Sequence, residues 1–355
     1  MHPGVLLLFQ NYGNQVGDDE IYHNNLKLAE LADGLGYNSV WCVEHHFDAD
    51  YSMCPDNTQL LSYLAGRTSN IKLATGAVIL PWNDPLRVVE KISLLDQLAP
   101  GRVIFGMGRG LARMEYEGQR QDMNESRERF DEAAEMILRG LESGVVENDG
   151  DFYKQPRVEV HPAPLASFKG RAYAVAMSPD SAVAAGKLGV GMTSFIQGPV
   201  EEVHMPIINA YRESYRQHHG SEPPPPILSD LGYCHHDADE AKKVTQQYAA
   251  NYFRTCVTHY EFGGEHFANT KGYQHYNLGA QALKEAGMEA VTDAFVGAQI
   301  SGTPDQIIEQ YHARKEMIGP FEPLFVPYHG GIPYDKAEES FKLMTKEVMP
   351  ELLKL

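Results

Sequence analysis

The chain has 355 residues, of which 43% are hydrophobic, and a formal net charge of -18. That length suits one large barrel or two ordinary domains, and the acidity argues against a protein that grips nucleic-acid phosphates or anionic membrane through clustered Lys and Arg. No apolar run approaches the roughly 18 residues of a membrane span, and no basic region precedes the short apolar run at the amino terminus, so a cytoplasmic protein is expected.

In chain order, short apolar runs alternate with amphipathic stretches. Val5–Gln10 reads as a strand buried on both faces; Asp18-Asp19-Glu20 then caps a helix over Ile21–Leu35 that Gly36 stops. Ser39–Glu44 is the second strand and Asn57–Arg67 the second helix. Lys72–Leu80 is the third strand, and Pro85–Leu98 is a helix with Pro at its start. Val103–Gly108 is the fourth strand, followed by a helix over Asn124–Leu141 whose apolar stripe is Phe130, Ala133, Ala134, Ile137 and Leu141. Gly150–Pro162 reads as an inserted hairpin. Ala172–Met177 is the fifth strand, Ser178-Pro179-Asp180 opens a helix, Gly191–Phe195 is the sixth strand and Val200–His218 the next helix. Past the prolines at 223 to 226, Ile227–Tyr233 is a strand and Asp237 caps a helix. Gly263–Gly287 is polar, rich in Gly, His and aromatics, and too long for a plain connection, which predicts a lid or loop. Thr303-Pro304 starts another helix, Leu324–Tyr328 is the last strand and Ala337–Leu352 the closing helix.

Eight strands alternating with helices imply one α/β domain over residues 1–355, a (β/α)8 TIM barrel with a lid inserted near residues 263–290. An open doubly wound sheet is the competing architecture. The even spacing of the apolar runs, and the polar clusters that follow several different strands, favour the barrel. All strand carboxyl ends would then share one mouth. Val103–Arg113 stands out, because a buried strand runs into Gly-Met-Gly-Arg-Gly and delivers bare backbone and a guanidinium together. Both suit a phosphate. Cys42, Cys54, Cys234 and Cys256 lack Cys-x-x-Cys spacing, so reduced thiols are expected and neither a disulfide framework nor a zinc site is indicated. Adjacent His45 and His46 invite a metal reading, but neighbouring side chains at a strand end diverge and no ligand set at the right spacing accompanies them. No metal is assigned.

Val-Trp-Cys-Val-Glu-His-His-Phe (Val40–Phe47), Ala-Thr-Gly-Ala-Val-Ile-Leu-Pro (Ala74–Pro81), Leu-Leu-Asp-Gln (Leu94–Gln97), Gly101–Leu111 and Asp-Met-Asn-Glu-Ser-Arg (Asp122–Arg127) together resemble the bacterial luciferase family of flavin-dependent monooxygenases, in particular its alpha subunit. Further similarity lies at Thr270–Tyr273 and Val348–Pro350. The resemblance implies reduced FMN with its phosphate on Arg109, Arg127, Ser178 and Ser181, the last matched less closely. Arg127 also has Asp131 in reach as an ion-pair partner, and Arg113 is a spare candidate that reads as a solvated charge. It further implies that His45 is the acid/base residue beside the reacting oxygen, with Glu44 next to it, and that Gly76-Ala77 matches a non-proline cis peptide against the flavin ring. His46 is expected to support the site from behind.

Three departures fall in the implied flavin pocket. Gly108 stands where luciferase alpha subunits have a cysteine, Met177 where they have a glutamate, and Phe195 where they have a tryptophan. Oxygenation is therefore expected more than light emission. The resemblance implies that reduced FMN and O2 oxygenate a small apolar aldehyde or ketone through a flavin hydroperoxide. FMN would arrive reduced from a separate flavin reductase, because no nicotinamide fingerprint follows the first strand. A deazaflavin-dependent dehydrogenase and a non-catalytic flavin-binding protein remain the alternatives. The helices over 57–67 and 85–98 resemble the family's subunit interface, which implies a homodimer or a heterodimer with a related chain. His218-His219 read as a solvated helix end. Lys271, Tyr273, His275 and Tyr276 could close over the site, and His235-His236 could reach the mouth.

Overall fold

Eight short parallel strands close on themselves in a computed structural model that describes residues 1–355. They are β1 (Gly4–Leu7), β2 (Ser39–Cys42), β3 (Lys72–Thr75), β4 (Val103–Gly108), β5 (Ala172–Val175), β6 (Gly191–Phe195), β7 (Ile227–Asp230) and β8 (Glu322–Phe325). Each pairs with its sequence neighbours, β8 returns to β1 through Gly4 opposite Leu324, and β3 meets β4 through Leu73 opposite Val103. The strands are almost wholly buried, which is why they read as continuous apolar runs and not as an alternation. Gly106 allows β3 and β4 to close. A Cβ there would lie 2.1 Å from the Thr75 carbonyl oxygen, and with only hydrogen the Thr75 hydroxyl donates to Gly106 O at 2.7 Å.

The outer helices begin where the sequence supplies a cap. They include α1 (Asp18–Leu35), α2 (Asn57–Ala65), α3 (Pro85–Leu98), α4 (Ser126–Ser143), α5 (Pro179–Leu188), α6 (Met205–His219), α7 (Ala238–His259), α8 (Asn277–Gly297), α9 (Pro304–Ile318) and α10 (Tyr334–Leu343). Asp56, Asp84, Ser178, Asp237 and Thr303 each accept a backbone N–H in the following first turn, and Gly36 ends α1 in the left-handed conformation. No helix is long and apolar enough to cross a membrane.

Several expected boundaries differ. The second strand stops at Cys42, so Glu44, His45 and His46 stand free on a loop at the mouth. The hairpin starts earlier than Gly150, pairing Val145–Asp149 with Lys154–Glu159 around a turn at 150–153. The helix over 200–218 opens with a π-turn at Val200–His204 before α6, and the closing helix is interrupted by a second π-turn at Met344–Val348. Tyr233-Cys234 leaves the barrel and pairs with Ser301-Gly302. The largest difference is in the lid. Residues 263–290 are mostly helical and feed α8, which carries a non-helical Gly287 at φ 83°. The glycines, histidines and aromatics read as a loop signal sit among alanines, which supply small side chains to the face of a helix that covers the mouth.

Candidate active site at the barrel mouth

Loops after β2 to β6 and the covering helix α8 enclose a cavity of about 680 Å³, lined mostly by apolar side chains. Gly76, Ala77, Gly108, Arg109, Met177, Ser181, Phe195, Glu44 and His45 all line it, so residues up to 151 positions apart converge on one space. Ser178 and Arg127 stand one step behind. Ser178 Oγ lies 2.8 Å from Ser181 Oγ and accepts the Ser181 N–H, which fixes the amino terminus of α5 against the cavity. The Gly76-Ala77 peptide is cis, as the resemblance implied.

Arg109 leaves the end of β4 and turns inward. Its guanidinium stacks 3.8 Å over the ring of Tyr273, and Nη2 donates to Gly272 O at 2.9 Å. The ring is anchored in turn, since Tyr273 donates to Gly110 O at 2.8 Å and Tyr116 donates to the Arg109 carbonyl. Gly272 sits at φ 77°, and a Cβ there would come within 2.9 Å of Arg109 Nη1, so glycine lets the backbone pass this close. Arg109 Nη1 itself is buried with no hydrogen-bond partner in the protein. Arg127 faces the same place. Burial lowers its proton affinity, and the like charge of Arg109 lowers it further. Its counterion Asp131 is 3.7 Å away and half exposed, so this pairing is loose. Two guanidiniums with one buried free N–H, beside serine hydroxyls at a helix amino terminus, form a cradle for an anion. These residues fit a phosphate group.

The other end of the cavity is built on His45. Its Nδ1 is 3.0 Å from Glu115 Oε1, and the same oxygen accepts the His46 backbone N–H at 2.8 Å. Glu115 is buried, which alone would raise its pKa. The facing imidazoles of His45 and His259 outweigh burial and hold the carboxyl well below the usual glutamate range. His259, at the carboxyl end of α7, is fully buried. Its Nδ1 lies 3.0 Å from Asp48 Oδ2 and its Nε2 3.6 Å from Glu115 Oε1, longer than a hydrogen bond. Burial works against a charged His259, yet the two carboxylates raise its pKa above the usual histidine value. His45, Glu115 and His259 offer one donor atom each within 4.8 Å of one another. An imidazole held between two carboxylates accounts for this arrangement, and no metal is assigned.

Glu44 is already engaged. It accepts from Ile79 N at 3.1 Å, Trp82 Nε1 at 2.7 Å and Asn83 Nδ2 at 2.9 Å, and lies 3.3 Å from His46 Nε2. It braces the loop after β2, while His46, buried against Trp82, supports it from behind. Of the other clusters, His275 and Tyr276 reach the cavity, whereas Lys271 pairs with Glu128 on the surface. Arg113 ion-pairs with Glu261 at 2.5 Å and tethers the end of α7. His235 and His236 do not line the cavity.

Glu115, His259 and Asp48 were not singled out by the sequence. Glu115 sits six residues past Arg109 in a short helix over Arg113–Gly118 at the mouth, a signal too weak to read. His259 follows Tyr252 and Cys256 at helical spacing on α7, the ordinary pattern of a core stripe.

Comparison with known proteins adds an independent line. Residues 1–319 match the family model described as luciferase-like monooxygenase. The alkanal monooxygenase alpha chain of Photorhabdus luminescens is 27% identical over 245 residues, 68% of this chain and 67% of that one. Among solved structures, monooxygenase RslO1 from Streptomyces bottropensis superposes with a TM-score of 0.83 at 24% identity, covering 99% of this chain and all of that one. The oxygenating constituent of 3,6-diketocamphane monooxygenase from Pseudomonas putida, solved with FMN, gives 0.75 at 20% identity, covering 99% and 98%. An F420-dependent secondary alcohol dehydrogenase gives 0.70 at 17% identity, covering 99% and 98%. At these identities the likeness to solved structures is one of fold.

Proposed function

The chain belongs to the luciferase-like monooxygenase family, and from that premise we propose that it is an FMN-dependent monooxygenase acting on a small, largely apolar aldehyde or ketone. The observation that carries the cofactor reading is the buried, unpartnered Nη1 of Arg109 beside Arg127. A phosphate monoester dianion there would complete the hydrogen bonding of one guanidinium and relieve its repulsion with the other. Ser181, at the amino terminus of α5, would add a hydroxyl and helix N–H groups. When bound, reduced FMN would supply the two electrons that let dioxygen place one oxygen atom in the substrate while the other leaves as water.

The remaining roles belong to the chain itself. Gly76, Ala77, Gly108, Met177 and Phe195 would face the flavin ring. Apolar side chains of α8 such as Ala286, Ala290 and Val291, together with Phe262, would exclude water and favour an uncharged substrate. Glu115 accepts from His45 Nδ1, which fixes the tautomer and leaves Nε2 as the nitrogen able to give or take a proton at the reacting oxygen. Tyr63, Leu94 and Leu98 are half exposed on α2 and α3, an apolar surface that suits a dimer. Sedimentation of the full chain reads its oligomeric state directly.

The reading is tested with a flavin reductase, NADH, FMN and either decanal or a medium-chain ketone under isotopically labelled dioxygen. One labelled oxygen atom in the acid or ester product is the expected result. Reoxidation of FMN without product across both substrate classes would remove the substrate reading, and failure to bind reduced FMN would remove the cofactor reading.

A further inference from the structure

The mechanism above uses His45 and Glu115 and leaves His259 without a role. Nothing about its position is accidental in energetic terms. A fully buried imidazole is costly to charge, yet this one lies between two carboxylates brought from different parts of the chain, Asp48 after β2 and Glu115 after β4. Its Nε2 has no other partner, and its ring centroid is 5.6 Å from that of His45. We propose that His259, clamped between Asp48 and Glu115, is a positioning residue whose positive charge governs when His45 holds a proton at the cavity wall. This inference deepens the monooxygenase reading and rests on it for the identity of the reaction, although the charge coupling exists without flavin.

The two imidazoles share one carboxylate oxygen. Glu115 Oε1 faces both His45 Nδ1, at 3.0 Å, and His259 Nε2, at 3.6 Å. With His259 charged, one carboxylate serves two imidazoles, and His45 is not driven to hold a second proton. His45 Nε2 can then take a proton from the reacting oxygen or return one, and no other proton has to move. Without the charge on His259, the anionic Glu115 would have only His45 to neutralise it, and His45 would stay protonated to higher pH and lose its base function. The remaining groups packed around the pair do not compete. Tyr51 stacks on His259 at 4.2 Å and meets His45 edge-on at 4.9 Å, and Tyr260 meets His259 at 4.9 Å. Burial pushes the phenols of Tyr51, Tyr252 and Tyr260 far above their ordinary value and the Cys256 thiol up to about 12, so all four are neutral near pH 7. Glu44 and His46 are paired with each other on the far side of the loop. Asp48 and His45 are the partly exposed members, and the Asp48 carboxyl is lowered chiefly by its hydrogen bond with His259.

The test is a pH titration of histidine ring signals by NMR in the full-length, 15N-histidine-labelled protein, with His45 assigned from H45N. His259→Gln should raise the pH midpoint of His45 by one unit or more, a tenfold or greater rise in proton affinity, while His259→Lys, which keeps the charge, should leave it near the wild-type midpoint. A purely structural role for His259 would leave the midpoint unmoved in the folded H259Q protein and would overturn the proposal. Should H259Q not fold, the wild-type spectrum decides. His259 is expected to keep both ring nitrogens protonated to a higher pH than a free imidazole, and a midpoint at or below that of a free imidazole overturns the proposal. Because no flavin is present in this experiment, its failure leaves the FMN reading standing, and the failure of that reading leaves this one measurable.

Discussion

The two ends of the cavity are built on opposite electrostatic plans. At the phosphate end, Arg109 and Arg127 face each other with only a loose counterion, and a buried N–H is left without a partner. At the reacting end, His45 and His259 are interleaved with Glu115 and Asp48, so that each imidazole has a carboxylate beside it. An uncompensated cluster of that kind is stable only marginally by itself and becomes favourable when an anion arrives. A balanced network is stable as it stands, and a proton gained at one edge meets a carboxylate already in place. On the proposed function, the difference gives binding to one end and proton chemistry to the other.

Four experiments bear on that division. The largest effect is expected from His45→Asn, which should lower turnover by about 10²–10⁴-fold, the usual scale of general acid–base catalysis, while leaving reduced FMN binding intact. Loss of FMN binding in that variant would erase the distinction between the ends. Arg109→Ala comes next. Removing charge-assisted bonds each worth roughly 1.5–3 kcal/mol should weaken reduced FMN by about 10–100-fold and reduced riboflavin hardly at all. Equal losses for the two ligands would show that Arg109 does not hold a phosphate.

Acid and base should act on the reacting end alone, since guanidiniums keep their charge throughout the accessible range. Glu115 has a folded pKa below its ordinary 4.5, so its stabilisation is present above that value and is lost as pH falls through the folded value. His259 is raised above 6.5, so its stabilisation is present below 6.5 and is lost as pH rises through the raised value. The gap in thermal midpoint between wild type and Glu115→Gln should therefore be widest between about pH 4.5 and 6.5 and narrow on either side, as differential scanning calorimetry would show. Both proteins should share a separate loss of stability as pH falls from 6.5 towards 4, because burial lowers His204 and His329 to about 4 and each must take up a proton on unfolding. A gap that is constant with pH would mean that the network carries no coupled charge. The smallest effect is expected from Tyr273→Phe, which keeps the ring under Arg109 and loses the hydroxyl's bond to Gly110 O at 2.8 Å, with a longer contact to the Tyr116 hydroxyl at 3.2 Å. A change of a few-fold in reduced FMN affinity is expected, from about 0.5–1.5 kcal/mol for one neutral hydrogen bond. A loss as large as that of Arg109→Ala would shift the anchoring role from the guanidinium to the phenol.

The phosphate end was the more legible of the two in the sequence, for a physical reason. Close backbone approach and a fixed cation need glycines and an arginine next to one another, so the requirement is written in consecutive residues from Gly106 to Gly110. The barrel was legible on similar grounds, since buried parallel strands must be short and apolar. His45 was named through the resemblance carried by Val40–Phe47, on the loop that follows the second strand. Glu115 and His259 lie 70 and 214 residues from it, and only the closed barrel brings them together. Residues 263–290 misled for a different reason, because glycine and histidine content suggested a loop, whereas packing over the cavity mouth holds most of the segment as helix.

Stopped-flow spectroscopy reads whether this cavity binds reduced FMN and uses it with dioxygen. The pure protein is mixed with photoreduced FMN and then with oxygen, with H45N and R109A alongside. A long-lived absorbance distinct from both reduced and oxidised flavin, formed by wild type and H45N and lost in R109A at limiting FMN, is the predicted result. Reoxidation of FMN at its protein-free rate, together with tight binding of a deazaflavin, would contradict it.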